Sequence, residues 1–321
     1  MTKTKPGSKP KRKKASKGKV HKTKTKVGQG TVGKRSTTGE PEEPAPSTKN
    51  EGTFQVEFQF FDPEEEDFHS VRDLLCSGTL GFAELDFSGL ANSIVDQVNI
   101  GTMVKSGNPD EARSGVDQED EDVTLCGMLT ILNLQQFANT TWCKSLATLL
   151  ESKAKSEKQL LQYTRCSGQD QVGLILSERF VNLPLEVIPA MHSAILEDIK
   201  WSCTTEYCPP EERPFYFFTH FLCLARCQAV TEDQGPLQSL QLKNGTLLQF
   251  SRAEELVLAR AASFVSSFPQ QSKDGRKASS FGKKRKVEGD VKGQEHVAVL
   301  VLTRKAYEGA VKNMREALKE A

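Results

Sequence analysis

Four cysteines come closest to a metal-binding pattern. Cys203-x4-Cys208 and Cys223-x3-Cys227 are spaced like a zinc quartet, with His192 and His220 in reserve. Zinc needs its donors on one ion, with sulfur at about 2.3 Å. Cys223 lies inside the apolar run 215–225, where residues four apart on a strand are separated by about 13 Å. The quartet survives only if the chain turns near Ala225, so no metal site is assigned. All eight cysteines (76, 126, 143, 166, 203, 208, 223 and 227) read as free, mostly buried thiols, since no apolar leader precedes them. Gly28-Gln29-Gly30-Thr31-Val32-Gly33 matches the dinucleotide fingerprint in letters alone. That fingerprint works only between a strand and a helix, and Lys- and Thr-rich sequence flanks it here. No G-x-S-x-G supports Ser88 or Ser177 as a nucleophile. Glu178, Glu197 and Asp198 could do acid–base chemistry, but spacing alone does not bring them together. Glu178 and Arg179 read instead as a structural charge pair at a sheet end. No catalytic, cofactor-binding or metal-binding residue is assigned.

Charge is more informative. The net charge of +1 conceals a division: residues 1–39 hold fourteen Lys and Arg with no carboxylate, and the rest holds 29 basic against 42 acidic residues, a net of −13. Lys9, Lys11, Arg12, Lys13 and Lys14 form one basic cluster, and Lys283, Lys284, Arg285 and Lys286 form a second. Short cationic stretches of this kind fit the acidic groove of a nuclear import receptor. The tail would touch nucleic acid only nonspecifically, through phosphates. Asp117, Glu119, Asp120, Glu121 and Asp122 concentrate in an acidic loop at 106–122, a candidate docking site for a basic client. No run of 18 apolar residues occurs, so no membrane span is expected.

The elements that must carry these features follow from periodicity. Residues 1–52 are too polar to fold and read as a disordered tail. The folded body is expected over 53–321, interrupted by the acidic loop 106–122 and by a basic flexible insert at 269–295. Phe54, Val56, Phe58 and Phe60 alternate with polar residues as a half-buried strand. Asp62-Pro63 then starts a helix whose apolar face is Phe68, Val71, Leu74 and Leu75. A helix is expected over 86–97, strands at 98–104, 123–134, 172–177, 215–225 and 296–302, and a helix at 252–266. Trp142, Leu146, Leu149 and Leu150 mark one further helical face, Ile188, Met191, Ile195 and Ile199 another, and Tyr307, Val311, Met314 and Leu318 a closing helix. Alternating strands and helices predict a layered α/β body.

One run is distinctive: Val172-Gly173-Leu174-Ile175-Leu176-Ser177-Glu178-Arg179-Phe180-Val181-Asn182-Leu183-Pro184. It resembles the VGxLLSERxxNxP signature of the BCCIP family, called BCP in fungi. Phe54–Phe61 with its acidic helix, Ile100-Gly101-Thr102-Met103-Val104-Lys105, Leu132-Asn133-Leu134, Pro189-Ala190-Met191-His192, Phe215–Phe218 and Ala253-Glu254-Glu255 resemble further family segments in the same order. The resemblance spans about 53–305. It implies a nuclear or shuttling protein without enzymatic activity. It also implies a role as chaperone of a basic large-subunit ribosomal protein (uL14-like), in nuclear export, and with cell-cycle or repair proteins. The implied fold is similar to that of GCN5-related acetyltransferases. Coenzyme A chemistry would need a glycine-bearing turn that lets backbone amides reach the diphosphate. Gln135–Thr140 has no glycine, and Ser177-Glu178-Arg179-Phe180 adds a carboxylate and bulk. A divergent acyltransferase and a cell-cycle or repair scaffold stand as the alternatives.

Overall fold

The computed structural model describes residues 58–97, 99–106, 124–153, 158–164, 170–230, 239–270 and 294–319. Among these residues a single sheet of nine strands is sandwiched between helices.

The chain enters on β1 (Phe58–Phe61), makes a 3-10 turn (Glu65–Asp67), and continues through helices α1 (Phe68–Ser77) and α2 (Phe87–Val95). The helix expected directly after Asp62-Pro63 begins only at Phe68. Asp67 is held back in the turn, where its carboxylate accepts the Glu64 amide at 3.1 Å and meets Lys105 Nζ at 2.6 Å. Asp86 caps α2 by accepting from the Gly89 amide at 2.8 Å. Strands β2 (Thr102–Ser106) and β3 (Thr124–Asn133) pair antiparallel, with a bulge between Val104 and Lys105. Helices α3 (Thr141–Lys153) and α4 (Lys158–Thr164) lead to β4 (Val172–Arg179), which returns antiparallel to β3.

Helix α5 (Val187–Thr204) crosses to β5 (His220–Val230), which runs parallel to β4. The remaining strands are β6 (Ser239–Gln241), β7 (Leu247–Phe250), β8 (Phe264–Pro269) and β9 (Gln294–Thr303). Helix α6 (Ala253–Ala261) precedes β8, and α7 (Arg304–Lys319) closes the chain. The sheet order is β1-β2-β3-β4-β5, and β9 lies along the full length of the other edge of β5 with β8 beyond it. Among the described residues no helix is long and apolar enough to cross a membrane.

Period-two alternation divides the core. On β5, Leu222 and Leu224 join one face while Phe221, Cys223 and Ala225 join the other; on β9, Val297, Val299 and Val301 oppose Ala298, Leu300 and Leu302. Helices α1 to α4 cover the first face, anchored by Trp142, whose indole N–H donates to Ser93 Oγ at 2.9 Å. Helices α5, α6 and α7 cover the second.

Three further expected elements differ. The strand expected at 98–104 starts at Thr102, because Asn99 turns inward and its amide donates to Tyr216 Oη at 2.7 Å. The strand expected at 215–225 starts at His220; Arg213–Tyr216 is a 3-10 turn with Pro214 at its start. The helix expected over 252–266 ends at Ala261, and Phe264–Pro269 is a strand whose every residue pairs with β9. Of the interval 269–295 expected as a flexible insert, Pro269 belongs to β8 and Gln294 and Glu295 to β9, and residues 271–293 lie outside the described residues.

Candidate functional site

Two strands share one edge of β5. Its first four residues pair with β4 (Val172–Ile175 against His220–Cys223), and its last four pair with β7 (Cys227–Val230 against Phe250–Leu247). Between them β4 departs and a wedge opens. Its walls are Thr79, Leu80, Ser177, Glu178, His192, Cys223, Glu254, Glu255 and Leu258.

The wedge is filled by charge. Beyond Ile175 the β4 backbone has lost β5 as a neighbour, and Arg252 reaches in to donate to the Ser177 carbonyl at 2.7 Å. The same guanidinium meets Glu178 at 2.8 Å and Glu255 at 3.7 Å. The other oxygen of Glu178 accepts the Thr79 amide at 2.5 Å. Arg179 holds Glu254 through two bonds of 2.9 and 3.2 Å. Arg226 donates to the Ser77 carbonyl at 2.8 Å and to that of Gly78. Glu254 and Glu255 occupy the first turn of α6, where the helix dipole favours carboxylates. All three glutamates are buried. Glu178 and Arg179 therefore do not pair with each other, as the sequence had suggested; successive strand residues face opposite ways, so each takes a partner from α6 or its cap.

Beneath the ion pairs lies a cavity of about 20 Å³, room for about one water. His192 lines it, with Nδ1 2.8 Å from Tyr307 Oη and no hydrogen-bond partner on Nε2. Burial lowers its pKa to about 4, against the pull of Glu254, so the ring is neutral. Burial holds the Glu255 carboxyl well above the usual carboxylate range, against the pull of Arg252, and its Oε2 has no partner. Burial likewise raises the Cys223 thiol, and pushes Cys227 up to about 12. Neither is a thiolate nucleophile at neutral pH. The cavity admits no substituent as large as a pantetheine arm, and the wedge's arginines are already held by Glu178, Glu254, Glu255 and backbone carbonyls rather than open to a diphosphate. The residues do not fit coenzyme A.

The cysteine pattern does not converge. β5 runs straight through Ala225, and Cys203, Cys208, Cys223 and Cys227 each contact a backbone carbonyl (of Tyr216, Pro209, Leu224 and His296). Among the described residues no three His, Cys, Asp or Glu side chains are grouped to hold a metal ion. His220 sits apart, beside Thr219 and Asp170. The basic candidates Lys9, Lys11, Arg12, Lys13, Lys14, Lys283, Lys284, Arg285 and Lys286 lie outside the described residues, as do the acidic candidates Asp117, Glu119, Asp120, Glu121 and Asp122. Sequence reasoning missed Arg252, Glu254 and Glu255 as partners of β4. The available signal was three charged residues within the four positions 252–255 that open a mostly apolar helix.

The comparisons agree with the signature on β4. Protein bcp1 of Emericella nidulans is 33% identical over 183 residues, 56% of this chain and 57% of that one. Protein bcp1 of Schizosaccharomyces pombe is 31% identical over 209 residues, 63% and 67% of the two chains. The BCCIP homolog of Arabidopsis thaliana is 29% identical over 52% of this chain and 48% of its own length. The matches thus span about half to two thirds of these relatives. The crystal structure of BCP1 from Saccharomyces cerevisiae shares the fold, with a TM-score of 0.53 at 16% identity, covering 87% of this chain and 97% of that one. The BCCIP family model matches residues 53–292, which include the whole charged wedge; the chain belongs to the BCCIP family.

Proposed function

We propose that this protein is a nuclear, non-enzymatic escort: it shields a basic client, a large-subunit ribosomal protein of the uL14-like kind, during transport and nuclear export. The observation that carries this reading is charge. Outside 1–52 and 269–295 the chain holds thirty-four acidic against twenty basic residues. Such an excess attracts a cationic partner at long range and repels nucleic acid. The family membership supports the reading, and so does the wedge, whose carboxylates are spent on internal arginines. The two basic clusters would recruit an import receptor. We read the sheet as the GCN5-related acetyltransferase type, on the strength of its opening order β1, α1, α2, β2, β3, with the fold kept and the chemistry absent.

The test is recovery of basic ribosomal proteins on the immobilised full chain across a salt series, with and without residues 107–123. Recovery at low salt that declines with salt and with the deletion is expected. No recovery at low salt would sink the proposal. A melting point unmoved by acetyl-CoA is expected beside it, since a ligand of the folded state would raise it.

A further inference from the structure

Five large apolar side chains are exposed among the described residues, and two of them, Tyr207 at 72% and Phe217 at 53%, stand on one loop between α5 and β5. The loop is built to hold them still. Arg213 donates to the carbonyls of Thr205 at 2.8 Å and Cys208 at 3.1 Å, closing the loop on itself. Tyr216, between the two, is buried and accepts from Asn99 at 2.7 Å. On a backbone closed in this way, an aromatic side chain has only two rotatable bonds to fix, so it loses little entropy when a partner covers it.

The surroundings name the partner. Asn99–Gly101 lies between this loop and the turn after β1: Asn99 reaches Tyr216 in the loop, Ser202 Oγ and Asp198 of α5 hold the Asn99 carbonyl at 3.3 Å and the Gly101 amide at 3.2 Å, and Gly101 packs so closely on Pro63 that a Cβ would stand 2.6 Å from its ring. The turn after β1 brings the exposed Glu65 and Glu66, and the loop itself carries the exposed Glu206 and Glu211. Residues 62–66 and 197–217 together hold nine carboxylates against Lys200 and Arg213. Arg213 is engaged within the loop. An exposed ring flanked by carboxylates suits a guanidinium, which stacks on the face and pairs at its edge. A lysine gains the charge alone, and phosphate-bearing partners are repelled.

We infer that the Tyr207–Phe217 loop and the neighbouring turn form a docking surface for an arginine-rich segment of a basic protein. The inference rests on the escort reading and assigns it a place distinct from residues 107–123. The probes are fluorescein-labelled nona-arginine and nona-lysine, titrated by anisotropy against the full chain at about 0.05 and 0.2 M salt. The Tyr207→Ala/Phe217→Ala variant should bind nona-arginine about tenfold more weakly, with nona-lysine changed less than about twofold. Glu65→Gln, Glu66→Gln, Glu206→Gln and Glu211→Gln combined should weaken both peptides and flatten the salt dependence. These side chains are exposed, so unchanged melting points will certify folding. Equal nona-arginine binding by wild type and the aromatic double variant overturns the inference. If binding is instead lost only on neutralising Asp117 and 119–122, this surface falls and the escort reading stands. If wild type binds neither peptide at low salt, both fall.

Discussion

Arg252 is the residue on which the wedge depends. It pairs with Glu178, approaches Glu255, and serves a β4 carbonyl beyond the point where β5 stops pairing with that strand. Arg252→Met should cost about 3–5 kcal/mol in urea denaturation, because the Glu178 carboxylate stays buried without its counter-ion. Removing Glu178 as well, by Glu178→Met in the same chain, should recover part of that loss. Two neighbours make opposite contributions to pH dependence. His192 falls from 6.5 to about 4 on folding, so the unfolded chain takes up its proton first. Its stabilisation is complete above 6.5 and is lost as pH falls toward 4, by about 3 kcal/mol in all. In His192→Asn that fraction of the acid sensitivity should be missing from denaturation midpoints measured between pH 7 and 4. Glu255 is raised instead. Its contribution is present at low pH and is lost as pH rises through its folded value. Glu255→Gln should therefore gain stability relative to wild type as pH increases.

At the scale of elements, legibility followed periodicity. The apolar run of β3 and the apolar stripe Ile188, Met191, Ile195, Ile199 of α5 place those elements correctly: a strand buried on both faces reads as a nearly unbroken apolar run, and a helix packed on one face reads as a stripe. The errors fall where two elements share one apolar run. Ala261-Ala262-Ser263 continues the composition of α6, yet the Ala262 backbone is extended and the chain reverses into β8. β6 and β7 are three and four residues long, too short to carry a period. The wedge was the least legible feature, because Arg252 lies 74 residues from Glu178 and no local pattern links them. Gly173 in β4 shows how closely these elements meet. A Cβ there would stand 2.6 Å from Ile131 Cγ2 and 3.0 Å from the Phe218 ring. Gly173→Ala is expected to cost about 1–3 kcal/mol by overpacking, read as a lowered melting temperature.

Along the whole chain, charge divides into a basic stretch at residues 1–39 and an acidic remainder. If the two basic clusters each serve import, alanines at Lys9, Lys11, Arg12, Lys13 and Lys14, or at Lys283, Lys284, Arg285 and Lys286, should weaken nuclear accumulation of a fluorescent fusion. Both sets together should abolish it. Nuclear accumulation of the doubly substituted chain would remove the clusters from the import reading.

Register also has a consequence for engineering. Phe58 sits beside Ser106, Ser106 beside Thr124, and Pro269 beside His296, so the chain's entry and the intervals 107–123 and 271–293 all depart from one rim of the sheet. Each interval begins and ends on strands already paired, and doubling its length adds only about 0.6 kcal/mol of closure entropy. That rim can accept grafted sequence, a reporter or an affinity handle, while the opposite rim, with its rings and carboxylates, keeps its geometry.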